Sequence, residues 1–199
     1  MDDQISSLTF DGVNDYIYLK NLNYGGGKTI SEMSVFVWVK TSTSGSNTND
    51  GGVDSGNWSL VDFDRSEVFN IFLEPGGQLK FGGYSSNNGG LGSVNYDIGA
   101  GTNVLFNDAE WHYVGVTFSV ANQEIKFYGD GELLRTLTAN GSMTALGYGL
   151  NRYGFIGDGS EATSENGSRN NRYFQGKISS VIFYDNKVLT HSEILHNYH

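Results

Sequence analysis

FQGKISSVIFYDNKVLTHSEI, residues 174–194, decides how the whole chain is read. Its first half is a strand opened by Gly176, and its second half is the start of a helix. The alternation in the strand slips partway along. Ile178 is in phase with Ile182 but not with Val181 and Phe183, and Asp185 completes the alternation of the latter pair at the rim. One extra residue at Ser179-Ser180, a β-bulge, puts Ile178, Val181 and Phe183 on one buried face. After the strand, Thr190 and Glu193 stand at capping-box spacing, with Leu189 one residue before the cap as a hydrophobic staple. A single helical turn is expected there. It is stable only if Ile194 and Leu195 rest on a larger body, because an isolated turn does not recover its nucleation cost.

The same strand grammar extends through the chain. MSVFVWVK (33–40) places Val35, Val37 and Val39 on one face and Phe36 and Trp38 on the other, so this strand is covered on both sides. WSLVDFD, VFNIFLE, QLKFGGY, WHYVGVTFSV, QEIKFYG, ELLRTLT and YGFIGDG follow, separated by Gly, Asn and Asp corners, while helical periodicity is almost absent. Gly129-Asp130-Gly131 supplies residues that tolerate positive φ at a hairpin. The expected fold is all-β: a two-sheet antiparallel jelly-roll sandwich with a short C-terminal helical turn, occupying residues 1–199 as a single domain. Its core is expected to include Val35, Val37, Val39, Val114, Val116, Phe118, Ile125, Phe127, Val181 and Phe183.

Composition narrows the function. With 38% hydrophobic and 14% aromatic residues the chain can bury a core, and a formal charge of -10 argues against a phosphate-backbone partner. Twenty-eight glycines against one proline fit strands joined by permissive corners, and the lack of cysteine rules out disulfides and thiolate metal sites. The first ten residues have acids where a signal peptide needs bases, and no apolar run is long enough to insert in a membrane. The expected location is extracellular or on a virion surface, reached without a signal peptide in this chain.

Five segments resemble the laminin-G-like, concanavalin A-like lectin/glucanase superfamily: FDGVNDYI (10–17), MSVFVWVK (33–40), EWHYVGVTF (110–118), IKFYGDGELL (125–134) and FQGKISSVIFYDNKVLTHSEILHNY (174–198). The resemblance implies a jelly-roll sandwich with adjacent N- and C-terminal strands. It leaves function broad, since the superfamily includes sugar binders, glucanases, adhesion modules and parts of virus particles. The family's last strand commonly reads Gly-x-Ile-Asp-Glu-Val, which maps onto Gly176, Lys177, Ile178, Ser179, Ser180 and Val181, so both acids are missing. Any Ca2+ shared between the terminal strands loses a carboxylate, and the segment reads as an architectural closing element. Asp11 at the family corner, with Asp97 and Asp158 in loops, are the candidates to hold one calcium ion.

The carboxylate run of the family's glucanases, Glu-x-Asp-x-x-Glu, has no counterpart here. VDFDRSEVFNIFLE places Asp62 and Asp64 on one side of a strand but spaces Glu67 and Glu74 wrongly for a catalytic pair. His112, inside a strong strand pattern, reads as a satisfied imidazole rather than a base. YGGGKTI (24–30) lacks the spacing of a phosphate loop and reads as a surface corner. Function is left to four long polar loops, 41–57, 84–103, 140–153 and 157–173. They carry amides and carboxylates for sugar hydroxyls and aromatic faces for a pyranose ring. Trp58, Tyr84 and Tyr148 are the expected stacking residues, with Asn87 and Asn151 as hydrogen-bonding partners. Arg152, Arg169 and Arg172 form a basic cluster expected to pair with Glu161 and Glu165.

The expected function is therefore a noncatalytic, lectin-like carbohydrate-binding or adhesion module that recognises a cell-surface carbohydrate. The alternative is a virion structural or decoration protein, of capsid or tail fibre, whose loops and sheet edges pack against capsid proteins or against other copies in a homo-oligomer. The resemblance includes domains of that kind in phage particles, and a glycoside hydrolase or polysaccharide lyase comes third.

Overall fold

A computed structural model describes residues 6–43, 58–64, 66–74, 76–83, 96–97, 104–138 and 143–199. In chain order the strands are β1 (Leu8–Asp11), β2 (Ile17–Tyr24), β3 (Glu32–Lys40), β4 (Trp58–Asp62), β5 (Phe69–Leu73), β6 (Leu79–Gly83), β7 (Tyr96–Asp97), β8 (Trp111–Ser119), β9 (Glu124–Gly129), β10 (Glu132–Thr138), β11 (Arg152–Ile156) and β12 (Gln175–Asp185). One helix, α1 (His191–Tyr198), follows. The strands form two antiparallel sheets of a jelly-roll sandwich, ordered β1-β12-β3-β8-β9-β10 and β2-β11-β4-β5-β6-β7.

Period-2 alternation builds the core. Val35 lies opposite Val116 on one side and Phe183 on the other, and Val37 opposite Val114 and Val181. These residues meet Val61, Phe69, Ile71, Leu73, Phe81 and Ile156 from the second sheet in one apolar cluster. Every residue of the expected core belongs to this cluster or packs against it. The register of β12 against β3 shifts between Ile178 and Ser180, so Ser179 is the extra residue and Ile178, Val181 and Phe183 all face inward. The slip in the sequence is a real bulge.

The outer face of the first sheet is also apolar. Phe36, Tyr113, Tyr128, Leu189 and Ile194 form a second buried cluster, with Trp38, Tyr184 and Tyr198 packed on it. Phe36 stacks on Tyr113 at 5.1 Å, and Trp38 stacks on Tyr198 at 5.5 Å. Gly115 makes this possible, because a Cβ there would lie 2.2 Å from the Phe36 ring. The helix that covers this face has the expected capping box: Thr190 Oγ1 accepts from Glu193 N, and Glu193 accepts from Thr190 N. It runs for eight residues, two turns rather than the single turn expected, because Ile194 and Tyr198 both gain contacts on the aromatic face.

The β9–β10 hairpin turns at Asp130 (φ 52°) and Gly131 (φ 84°), both in the left-handed region. Asp130 also braces the rim. Its carboxylate accepts from Tyr113 N at 2.9 Å and lies 2.8 Å from His112 Nδ1, while His112 Nε2 lies 2.9 Å from Asp108. The hydrogen bond to Asp130, helped by Asp108 and opposed by burial, raises the imidazole to about 8. His112 is a satisfied strut, as its strand context suggested.

Candidate polar site on the second sheet

The outer face of the second sheet is built differently. Val61, Ile71, Phe81 and Ile156 point into the core, so their neighbours Asp62, Asn70 and Phe155 stand on the opposite face. These three, with Gly82, lie in one row across four strands: Phe155 opposite Asp62, Asp62 opposite Asn70, Asn70 opposite Gly82. Asp62 is 1% exposed. A carboxylate so buried needs donors, and it accepts from Asp64 N (2.5 Å), Ser59 Oγ (3.2 Å) and Asn70 Nδ2 (3.3 Å). Burial, reinforced by the adjacent Asp64 charge, raises Asp62 to about 7.

Residues 157–173 fold over this row as a polar strap. Ser160 and Arg169 form a bridge, Asn170 N donates to Gly159 O at 3.1 Å, and Ser59 N donates to Arg172 O at 3.3 Å. Asp158, fully buried, ties the strap together: Oδ1 accepts from Gly159 N (2.7 Å) and Arg172 N (2.8 Å), and Oδ2 faces Arg169 Nε at 3.2 Å. Burial raises Asp158 to about 6 against the opposing pull of those amides and of Arg169. The Arg169 guanidinium lies 3.7 Å from the centroid of Tyr16. Such a stack favours arginine over lysine.

Arg152 anchors the next layer. Its Nε donates to Asp64 Oδ2 at 2.7 Å, and Nη2 lies 3.7 Å from both Glu67 and Glu161. The expected pairing of the basic cluster with Glu161 is therefore present for Arg152. Glu165 instead accepts from Asn21 N at 2.9 Å. Between strap and sheet lies a cavity of about 150 Å³ lined by Asp62, Asp64, Ser66, Glu161, Asn170 and Arg172. Asn170 Oδ1 on its wall and Asn70 Oδ1 beneath it are buried without a hydrogen-bond donor among the described residues. Buried acceptors are normally satisfied, so these two atoms leave hydrogen-bonding capacity in this region unused.

A ridge flanks this cavity. Gly26 N donates to Gly149 O at 2.9 Å, Leu150 N to Glu67 Oε2 at 2.5 Å, and Asn23 Nδ2 to Asn151 Oδ1 at 2.5 Å. The YGGGKTI corner is thus a surface turn that props up the ridge. Tyr148 and Leu150 stand out from it, 53% and 60% exposed. Glu67 connects the two regions, holding Leu150 N with one oxygen and approaching Arg152 with the other.

Of the residues singled out from sequence, Tyr148 and Asn151 share this ridge, Tyr148 exposed and Asn151 with its carbonyl taken by Asn23. Trp58 starts β4 and Asp97 ends β7, but their side chains lie outside the described residues, as do Tyr84 and Asn87 altogether. Asp11 sits at an exposed turn where its carboxylate accepts from Val13 N (2.7 Å) and Asn14 N (3.1 Å). Calcium takes six to eight oxygen ligands. Among the described residues no group of three or more His, Cys, Asp or Glu side chains is arranged to hold a metal ion. Asp158 is already committed to amides and to Arg169.

Sequence reasoning recorded Asp62 and Asp64 but missed Ser66, Asn70 and Asn170. The available signal was an aspartate set between the apolar Val61 and Phe63 at the end of the strand WSLVD, where an unpaired charge would be costly.

The fold agrees with relationships found by comparison. The chain belongs to the concanavalin A-like lectin/glucanases superfamily, whose family model matches residues 11–195. No curated protein sequence matches it. Among solved structures it is similar to a native heptameric pentraxin from Limulus polyphemus, with TM-score 0.60 and 14% identity over 94% of this chain and 78% of that one. It is also similar to the CBM40 domain of a Ruminococcus gnavus sialidase bound to α2,3-sialyllactose, with TM-score 0.56 and 15% identity over 94% and 97% of the two chains. A putative carbohydrate-binding protein from Bacteroides ovatus gives TM-score 0.61 and 16% identity over 95% of this chain. The match spans only 45% of that larger protein. Among the described residues no helix is long and apolar enough to cross a membrane.

Proposed function

We propose that residues 1–199 act as one noncatalytic, lectin-like module that binds carbohydrate at a cell surface through the outer face of the second sheet. One observation carries this reading: a polar cavity with the buried, unsatisfied amide oxygen of Asn170 in its wall lies beside a ridge bearing the exposed ring of Tyr148. Fixed acceptors and donors suit sugar hydroxyls, and an exposed aromatic face suits the apolar side of a pyranose ring. Similarity to structures named for carbohydrate binding supports the same class.

The carboxylates argue for binding rather than hydrolysis. Asp64 Oδ1 accepts from Ser66 N and Oγ (3.0 and 2.6 Å) while its Oδ2 holds Arg152, so both oxygens are engaged. Asp62 is enclosed by three donors. Neither is placed as a free nucleophile or base. The second reading, a virion or other structural component packing against copies of itself, has support in the exposed Leu8, Val13 and Tyr18 near the β1 and β2 edges.

The test is a glycan array followed by calorimetry on the best binder, comparing the native protein with Tyr148→Ala. Loss of stacking should weaken binding about fivefold to tenfold, corresponding to ~1–1.4 kcal/mol. Unchanged affinity in Tyr148→Ala, or no array signal at all, would overturn the reading and leave the structural role.

A further inference from the structure

The first sheet's outer face is sealed by aromatic rings and helix α1 at one end only. At the other end Lys177 of β12 stands directly opposite Lys40 of β3. The row continues outward to Thr9 of β1, opposite Lys177, and to Trp111 of β8, opposite Lys40. Val39 and Ile178, the inward neighbours of the two lysines, are in the core, so both lysines share the outer face with Trp38. Like charges directly opposite one another on antiparallel strands oppose pairing.

Several cations elsewhere on the described chain pair with carboxylates: Lys126 with Glu124, Lys187 with Glu193, Arg152 with Asp64 and Arg169 with Asp158. Among the described residues neither Lys40 nor Lys177 forms an ion pair. The carboxylate sharing their hollow, Asp11, is occupied by the amides of Val13 and Asn14, which hold it below its ordinary range. A chain with a formal charge of -10 thus presents two unneutralised cations side by side.

They border a concavity of about 430 Å³ whose lining includes Thr9, Asp11, Lys40, Gln175 and Lys177. That volume is within the range of small-ligand sites, about 300–1,000 Å³. Two ammonium groups with the neighbouring Thr9 hydroxyl and Gln175 amide match a carboxylate or sulfate ester carried on a sugar: the cations bind the anionic oxygens, and the neutral groups meet ring hydroxyls. The protein's overall negative field does not prevent this, because at physiological salt exposed charges are screened beyond ~8 Å while the two lysines would touch the anion.

We propose that Lys40 and Lys177 form a second binding site, on the sheet opposite the polar cavity, for an acidic saccharide bearing a carboxylate or a sulfate ester. This site is separate from Tyr148 and does not depend on what that ridge binds.

The experiment is calorimetric titration with three probes: a galacturonic acid oligomer, a sulfated disaccharide and inorganic sulfate. Native protein is compared with Lys40→Met/Lys177→Met, Lys40→Arg/Lys177→Arg and Tyr148→Ala. At least one acidic saccharide should bind, more weakly at about 0.3 M salt than at low salt. The double methionine variant should lose about tenfold or more in affinity. The double arginine variant should retain binding, and Tyr148→Ala should match the native protein. The methionine variant keeps the side-chain stems and removes a repulsion, so its melting temperature should not fall; if it does fall, the arginine variant carries the comparison. The proposal is overturned if no acidic saccharide binds, if the methionine variant binds as tightly as native protein, if Tyr148→Ala alone abolishes binding, or if inorganic sulfate binds as tightly as the saccharides.

Discussion

The two sheets share a core but close their outer faces by opposite means. On the first sheet, Phe36, Tyr113 and Tyr128 meet Leu189 and Ile194 of the terminal segment, so apolar burial does the work. On the second, Asp62 and Asn70 lie beneath a strap that Asp158 ties together through backbone amides and Arg169, whose guanidinium stacks on Tyr16. Apolar packing is indifferent to pH and leaves little unused bonding capacity. A polar closure is sensitive to protonation and leaves acceptors unused, which is why the candidate site belongs to the second face.

The contrast is broken most strongly at Phe36. Phe36→Ala removes a fully buried ring stacked on Tyr113 and should cost about 3–4 kcal/mol, measured by denaturant unfolding. A loss below about 1 kcal/mol would mean that the helix-covered face is not held by packing.

Asp62 probes the other face with the opposite sign. Its folded-state pKa lies above its unfolded value, so the folded protein binds the extra proton. The stability linked to that proton is fully present below pH ~4 and is lost as pH rises through about 7. Asp62→Asn should therefore differ little from native protein near pH 4 and be more stable by ~2 kcal/mol at pH 8, since each pK unit corresponds to about 1.4 kcal/mol and retained hydrogen bonds offset part of the gain. The check is the difference between the two stability–pH curves. Parallel curves would show that Asp62 does not titrate as a buried acid.

Thr190→Ala should have the smallest effect, about 1 kcal/mol, from loss of the capping box. Amide exchange should speed up in α1 while β3 stays protected, separating the helical cover from the sheet it lies on. Equal acceleration in both would mean that cover and sheet unfold as one unit.

How much of this could be read from the chain follows the same division. Val35, Val37 and Val39 were legible because the pleat repeats every two residues, and Ser179 because its extra residue breaks that repeat visibly. Thr190 and Glu193 were legible because a cap is a local contact. The polar site was not, because it joins residues 62–70, 152 and 158–172, brought together only by the order β11-β4-β5. Asp62 and Arg152 were visible separately. Nothing local says that one sits in a row with Asn70, or that Asp158 ties the strap to itself rather than facing solvent.

The bulge in β12 has a consequence for how this chain can change its length. Ser179 adds one residue between two stretches of β12 that both point Ile178, Val181 and Phe183 inward, and the N-terminal stretch also carries β1 through Leu8, Thr9, Phe10 and Asp11. A substitution at Ser179 alters one side chain, whose Oγ donates to Ser6 O at 2.9 Å. A deletion would instead leave Ile178, Ser180 and Val181 facing Val39, Trp38 and Val37 one for one, so Ile178 and Val181 would stay inward on a regular ladder and only the local bend and the Ser6 contact would go. This is therefore the one place in β12 where the chain can shorten by a residue without turning a core side chain outward, whereas a deletion on either side of the bulge would invert the alternation beyond it.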